Sequence, residues 1–156
     1  ALLIDHSGSM QQPVSSKSEI SRFDAAAALA MILRETADRC RVFTFSDRLV
    51  EVPPRRGFSL RDAIINSQEH SRTYLGGAIN ALHKNLPADA LYDRIIVITD
   101  EQSQDTVRDP DVGKAAYLIN VASAKNGVGY GPWVHIDGWS EAVVDYVQAH
   151  EAPVAP

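Results

Sequence analysis

An α/β domain built on a doubly wound, mostly parallel sheet is the fold this sequence predicts, and three observations predict it. Arg94-Ile95-Ile96-Val97-Ile98-Thr99-Asp100 contains an unbroken apolar run, which marks a strand covered on both faces, as in a parallel sheet between helices. Strand-like and helix-like segments alternate along the chain. One early pair of strands, 41–46 and 49–52, is separated only by Asp47-Arg48, so it closes as a hairpin and supplies an antiparallel edge.

Taken in order, Ala1 to Asp5 is an apolar strand that runs straight into His6-Ser7-Gly8-Ser9-Met10. Residues 11–20 are polar and broken by Pro13, a loop over the strand's exit. Arg22 to Asp38 reads as a helix of about four turns, with Ser21 as N-cap and Asp24 three residues on. Its apolar residues spread round much of the circumference, so it is buried on several sides. Pro53-Pro54 ends the hairpin, and Ser59-Leu60-Arg61-Asp62 has the form of a helix start. Residues 67–77 form a loop containing Thr73 and Gly76-Gly77, and a helix follows from about Ala78 to Leu86, stopped by Pro87. After the Arg94–Asp100 strand come an acid-bearing loop (101–113), a buried strand (116–121), a glycine-rich stretch (125–132), a short strand (133–136) and a closing helix (140–149). Residues 1–150 therefore make one domain and 151–156 a frayed tail.

The 156 residues suffice for one domain with a substantial core. A net charge of -5 gives no overall field to attract polyanions, which disfavours nucleic-acid binding by this stretch itself. Cys40 is the lone cysteine, which excludes an internal disulfide and a cysteine-cluster zinc site and fits a reducing, cytoplasmic setting. It reads as a small buried hydrophobe after a helix. No apolar run approaches a membrane span. Because the sequence opens inside a strand without an initiator methionine, the expectation is a piece of a longer chain.

Ligands of doubly wound sheets bind beyond the carboxyl ends of the strands, where strand order reverses. Asp5 and Asp100 both stand at such ends, and the Thr73 loop enters a helix on the same rim. Asp5, Ser7, Ser9, Thr73 and Asp100 together offer two carboxylates and three hydroxyls, hard oxygen donors suited to Mg²⁺ or Mn²⁺. If neutral hydroxyls bind directly, the ion keeps its Lewis acidity and an open position favours an anionic oxygen from a partner, such as an Asp or Glu carboxylate.

Asp5-His6-Ser7-Gly8-Ser9-Met10, Thr73-Tyr74-Leu75-Gly76-Gly77-Ala78 and Ile98-Thr99-Asp100 together resemble a von Willebrand factor A (vWA) domain, a Rossmann-like fold, with a metal-ion-dependent adhesion site (MIDAS). That resemblance implies Ser7, Ser9 and Thr73 as ligands, with Asp5 and Asp100 direct or through water. It also implies a binding module and not an enzyme. Glu101 departs from the pattern, since Gly is frequent there. A narrower resemblance, over residues 99–105, 122–133 and 136–141, is to the C-terminal vWA domain of Ro ribonucleoprotein (TROVE) proteins, whose separate ring of helical repeats binds non-coding RNA. It implies that RNA is held by an N-terminal region absent from this sequence.

Other residues carry plainer expectations. His6 lacks a second His at ligand spacing and is expected on the surface. His135 and Asp137 are expected to make local hydrogen bonds, and Arg55-Arg56 to form a solvated corner. Glycines 127, 129 and 131 shape a tight loop and match no dinucleotide fingerprint. Trp133 and Trp139 are expected to pack the last strand on the last helix. Ser7 lacks the Gly-x-Ser-x-Gly elbow of serine hydrolases. A Mg²⁺-dependent phosphohydrolase is the rival reading from the same carboxylates, although the motifs contain no basic residue to bind phosphate. A purely structural domain with an empty site is the third.

Overall fold

Four short apolar strands and two longer ones assemble in the order β3-β2-β1-β4-β5-β6. They are β1 (Leu2–Asp5), β2 (Val42–Phe45), β3 (Leu49–Glu51), β4 (Tyr92–Thr99), β5 (Val112–Asn120) and β6 (Val134–Asp137). The structure, a computed structural model, describes residues 1–122 and 131–153. Every neighbouring pair is parallel except β2 with β3, so the antiparallel strand lies at the edge as the two-residue hairpin predicts. The helices are α1 (Arg22–Thr36), α2 (Gly57–Ile65), α3 (Leu75–Lys84) and α4 (Ala142–Glu151).

Strand alternation splits the core in two. Leu2, Ile4, Ile98, Tyr117 and Ile119 point to the face covered by α1, α2 and α4. Leu3, Ile95, Val97, Ala116 and Leu118 point to the opposite face, covered by α3. Helix α1 is buried widely, as its sequence predicts: Ala25, Ala26, Ala27 and Ala30 are fully buried, small enough to bring the helix close to the sheet. Among the described residues no helix is long and apolar enough to cross a membrane.

Several boundaries shift for physical reasons. Helix α2 starts at Gly57 rather than at the Ser59 signal, with Gly57 in the left-handed region at φ 56° that glycine adopts freely. Helix α3 starts at Leu75, three residues ahead of expectation. Trp133 packs with Phe43, Leu75 and Leu118 on the α3 face, whereas Val143 and Val147 of α4 lie on the other; the expected packing of Trp133 against the last helix is therefore corrected. Trp139 is exposed. Cys40 is half-buried and packs against the α1 face. Arg56 is exposed and pairs with Glu35, which fits a solvated corner. The loop expected at glycines 127 and 129 lies outside the described residues.

Strand order reverses between β1 and β4, since β1 leads outward through β2 to β3 and β4 through β5 to β6. The crevice beyond the carboxyl ends of this pair is where a doubly wound sheet offers a ligand site.

Candidate metal centre

Register brings the two strand-end acids together. Leu2 faces Ile96 and Ile4 faces Ile98, so the end of β1 reaches the end of β4. There Thr99 Oγ1 donates to Asp5 Oδ2 at 2.6 Å. The other oxygen, Asp5 Oδ1, accepts the backbone N–H of Ser7 at 2.8 Å, the local turn that Asp favours. Asp5 is wholly buried. Burial pushes its carboxyl up from 3.8 to about 6, against the donated hydrogen bonds of Ser7 and Thr99, with the neighbouring charge of Asp100 pushing the same way.

Past Asp5 the chain turns into a 3-10 helix, Gly8–Gln11, whose buried Met10 anchors it. This turn sets Ser7 Oγ and Ser9 Oγ 3.1 Å apart. Two adjacent oxygens of an octahedral Mg²⁺ shell, each at about 2.1 Å from the ion, stand about 3 Å apart, so the serine pair has the spacing of two neighbouring ligands. Among the described residues no group of three or more His, Cys, Asp or Glu is placed to hold a metal, so an ion at this rim would depend on hydroxyls as well as acids.

The third segment arrives by backbone bonds. Gly8 N–H donates to Ser71 O at 2.9 Å and Tyr74 N–H to Ser46 O at 3.3 Å, which aligns residues 71–74 beside the serine turn and the end of β2. Ser46 Oγ donates to Arg72 O at 2.7 Å. Thr73 is buried, and its carbonyl accepts the N–H of Gln104 at 2.8 Å, tying it to the loop after Asp100. That loop also supplies the cap of α3: Asp105 accepts the N–H of Gly76 at 3.0 Å and of Gly77 at 2.7 Å, while Ser103 Oγ donates to Asp105 Oδ1 at 2.8 Å. A carboxylate at a helix N-terminus satisfies otherwise orphaned N–H groups and meets the positive end of the dipole. Because the capping acid comes from a distant loop, the start of α3 is invisible in local sequence.

Asp100 is fully buried and takes a 2.7 Å ion pair from Arg22 Nη1. Glu101 has φ 60°, a left-handed conformation costly for a residue with a Cβ, and this is the physical reason glycine suits the position. Its N–H donates to Thr99 Oγ1 at 3.1 Å, and its Oε1 lies 2.9 Å from Nδ1 of His135. The extra acid is thus engaged by β6, through a side chain 34 positions further along the chain.

His6 corrects an expectation. It is fully buried, stacks on His70 at 4.2 Å between ring centroids, and meets the Phe23 ring edge-on at 4.7 Å. Its Nε2 lies 3.2 Å from both Ile64 O and Ile65 O, and burial lowers its pKa. His6 therefore fastens the serine turn to α2. A lone His gave no signal of this, because its stacking partner lies far along the chain.

The chain resembles several solved structures. The Ro protein of Deinococcus radiodurans superposes with a TM-score of 0.67 at 20% identity, over 95% of this chain and 33% of that one. This chain thus spans about a third of that protein's length. An aerotolerance-related membrane protein of Bacteroides fragilis gives 0.64 at 14% identity, covering 96% of both chains. Proximal thread matrix protein 1 of the mussel byssus, described with a zinc-occupied MIDAS motif, gives 0.53 at 12% identity over 96% of this chain and 43% of that one. At these identities the likeness shows the fold. No curated protein sequence matches the chain. The family model described as the Ro60 vWA domain matches residues 1–117, three quarters of the sequence, and the chain belongs to that family.

Proposed function

We propose that this domain is a divalent-metal-dependent protein-binding module of a Ro-type RNA-binding protein. Ser7, Ser9 and Thr73 would hold Mg²⁺ or Mn²⁺, with Asp5 and Asp100 binding directly or through water. The observation that supports it most is the meeting of three separate segments at the β1/β4 reversal, with two hydroxyls 3.1 Å apart beside two fully buried acids. When bound, the ion supplies Lewis acidity toward an anionic oxygen.

The chain's own residues do the rest. Asp5 fixes the serine turn through the Ser7 N–H, and Thr99 holds Asp5 in one rotamer. The Asp105 cap and the Gln104 bond tie the Thr73 segment to the loop after β4. An Asp or Glu from a partner protein is the ligand such a site prefers when the hydroxyls bind the ion directly and the acids act through water, because the ion then keeps much of its Lewis acidity. The negative net charge of -5 is consistent with RNA being bound elsewhere in a longer Ro-type protein. A cytoplasmic location fits the single cysteine.

Selection from a random peptide display library in Mg²⁺, with elution by chelator, tests this reading. Sequences carrying an essential Asp or Glu are expected, and replacing that acid by its amide should lower binding at least tenfold. Peptides that bind equally well in chelator, or metal-dependent turnover of phosphate esters by the domain, would overturn it.

A further inference from the structure

Among the described residues of the rim, Arg22 holds a placement that its local structure does not explain. It opens α1, immediately after the Ser21 N-cap. A cation at a helix N-terminus faces the positive end of the dipole, an unfavourable position. Yet the backbone here is firmly held. Ser21 Oγ accepts the Asp24 N–H at 3.0 Å and donates to Asp24 Oδ2 at 2.8 Å, while Arg22 N–H donates to Gln12 O at 2.8 Å. The side chain is thereby carried inward until Nη1 reaches Asp100 Oδ2 at 2.7 Å, with only 17% of the side chain exposed. Its Nε is buried without an acceptor, a further cost accepted at this position. The compensation is electrostatic. Asp5 and Asp100 are two fully buried acids at one strand junction, and the charge of one already penalises that of the other.

We propose that Arg22 is a resident counter-ion of the metal site: its guanidinium neutralises Asp100 in the ion-free domain and weakens divalent-ion binding. The inference rests on the metal-binding reading above and adds regulation to it. A guanidinium stays charged at any accessible pH, so its opposition is permanent. The formal charge of Asp5, Asp100 and Arg22 is -1, and a divalent ion raises it to +1. Without Arg22 the loaded site would be neutral. The guanidinium's added positive charge favours an anionic oxygen in the open position, so the ion is held more tightly together with the partner's acid. Ion and partner then bind with positive coupling, each raising the affinity of the other by the same factor.

Mn²⁺ titration followed by electron paramagnetic resonance, on the parent and on Arg22→Gln and Arg22→Lys, tests this. Arg22→Gln is expected to bind Mn²⁺ roughly tenfold more tightly than the parent, and Arg22→Lys, which keeps the charge, close to the parent. Thermal melting gives the second readout. In chelator Arg22→Gln should melt below the parent, because the 2.7 Å ion pair to the buried Asp100 is then lost, and Mg²⁺ should raise its melting temperature by more than it raises the parent's. If the parent binds Mn²⁺ and Arg22→Gln binds it equally or more weakly, Arg22 only orients Asp100 and the inference falls while the metal site stands. If neither protein binds Mn²⁺, both fall. Binding by Arg22→Gln alone would support the inference in its strongest form.

Discussion

Gly76→Ala is expected to destabilise the domain by about 3 kcal/mol and to disorganise the rim of the site at the same time. A Cβ at this position would stand inside the van der Waals envelope of the Thr106 carbonyl oxygen and 2.9 Å from Asp105 Oδ2. The first neighbour is backbone, so no rotamer change relieves the clash. The loop carrying residues 103–106 must retreat from α3. In retreating it gives up the bonds from Gly76 N–H and Gly77 N–H to the Asp105 carboxylate and loosens the Gln104 N–H to Thr73 O bond. Charge-assisted bonds of this sort are each worth about 1.5–3 kcal/mol, so the loss is large even if half is recovered by water. Urea unfolding should show a lower midpoint with an unchanged slope. Gly77→Ala is the control. Its Cβ would meet nothing closer than 3.6 Å, so it should cost much less. Equal stability of Gly76→Ala and the parent would mean that the Asp105 loop does not pack on α3 as described.

Asp5→Ala should lower Mg²⁺ affinity by about 10–100-fold while leaving the fold intact. The carboxylate has two tasks at once, accepting the Ser7 N–H at 2.8 Å and the Thr99 hydroxyl at 2.6 Å, so its loss frees the serine turn as well as removing a charge. Stability need not fall in step. The ionised group is buried at a cost, visible in a pKa raised to about 6, and deleting it removes that cost along with its hydrogen bonds. Asp5→Asn keeps an acceptor for the Ser7 N–H and isolates the charge. Isothermal calorimetry on the parent and both variants separates the two contributions: parent-like Mg²⁺ binding by Asp5→Ala would remove Asp5 from the site.

The sheet was legible because its strongest signals are local. The uninterrupted run from Ile95 to Ile98 marks a strand of a sheet covered on both faces, and Asp47-Arg48 is too short for anything but a hairpin. Once a doubly wound sheet is granted, the strand-end positions of Asp5 and Asp100 follow, and the β1/β4 register puts them side by side. What local sequence could not supply are partners that arrive from a distance. Helix α3 begins early because Asp105, 29 residues beyond Gly76, caps it. His6 is interior because His70, a distant neighbour in sequence, stacks on it. Trp133 belongs to the α3 face because strand parity, which the short β6 leaves ambiguous, decides its side. Arg22 reads as an ordinary first residue of a helix until its contact with Asp100, 78 positions away, is seen. A basic residue at the unfavourable end of a helix was the available sign.

One measurement bears most directly on the site: anomalous diffraction from crystals of the domain grown with Mn²⁺. A single strong anomalous peak is predicted beside Ser7 Oγ and Ser9 Oγ, within ligand distance of Thr73 Oγ1 and with Asp5 and Asp100 in direct or water-bridged contact. A peak elsewhere, or none at Mn²⁺ concentrations that saturate binding in solution, would contradict the assignment of these five residues as a metal centre.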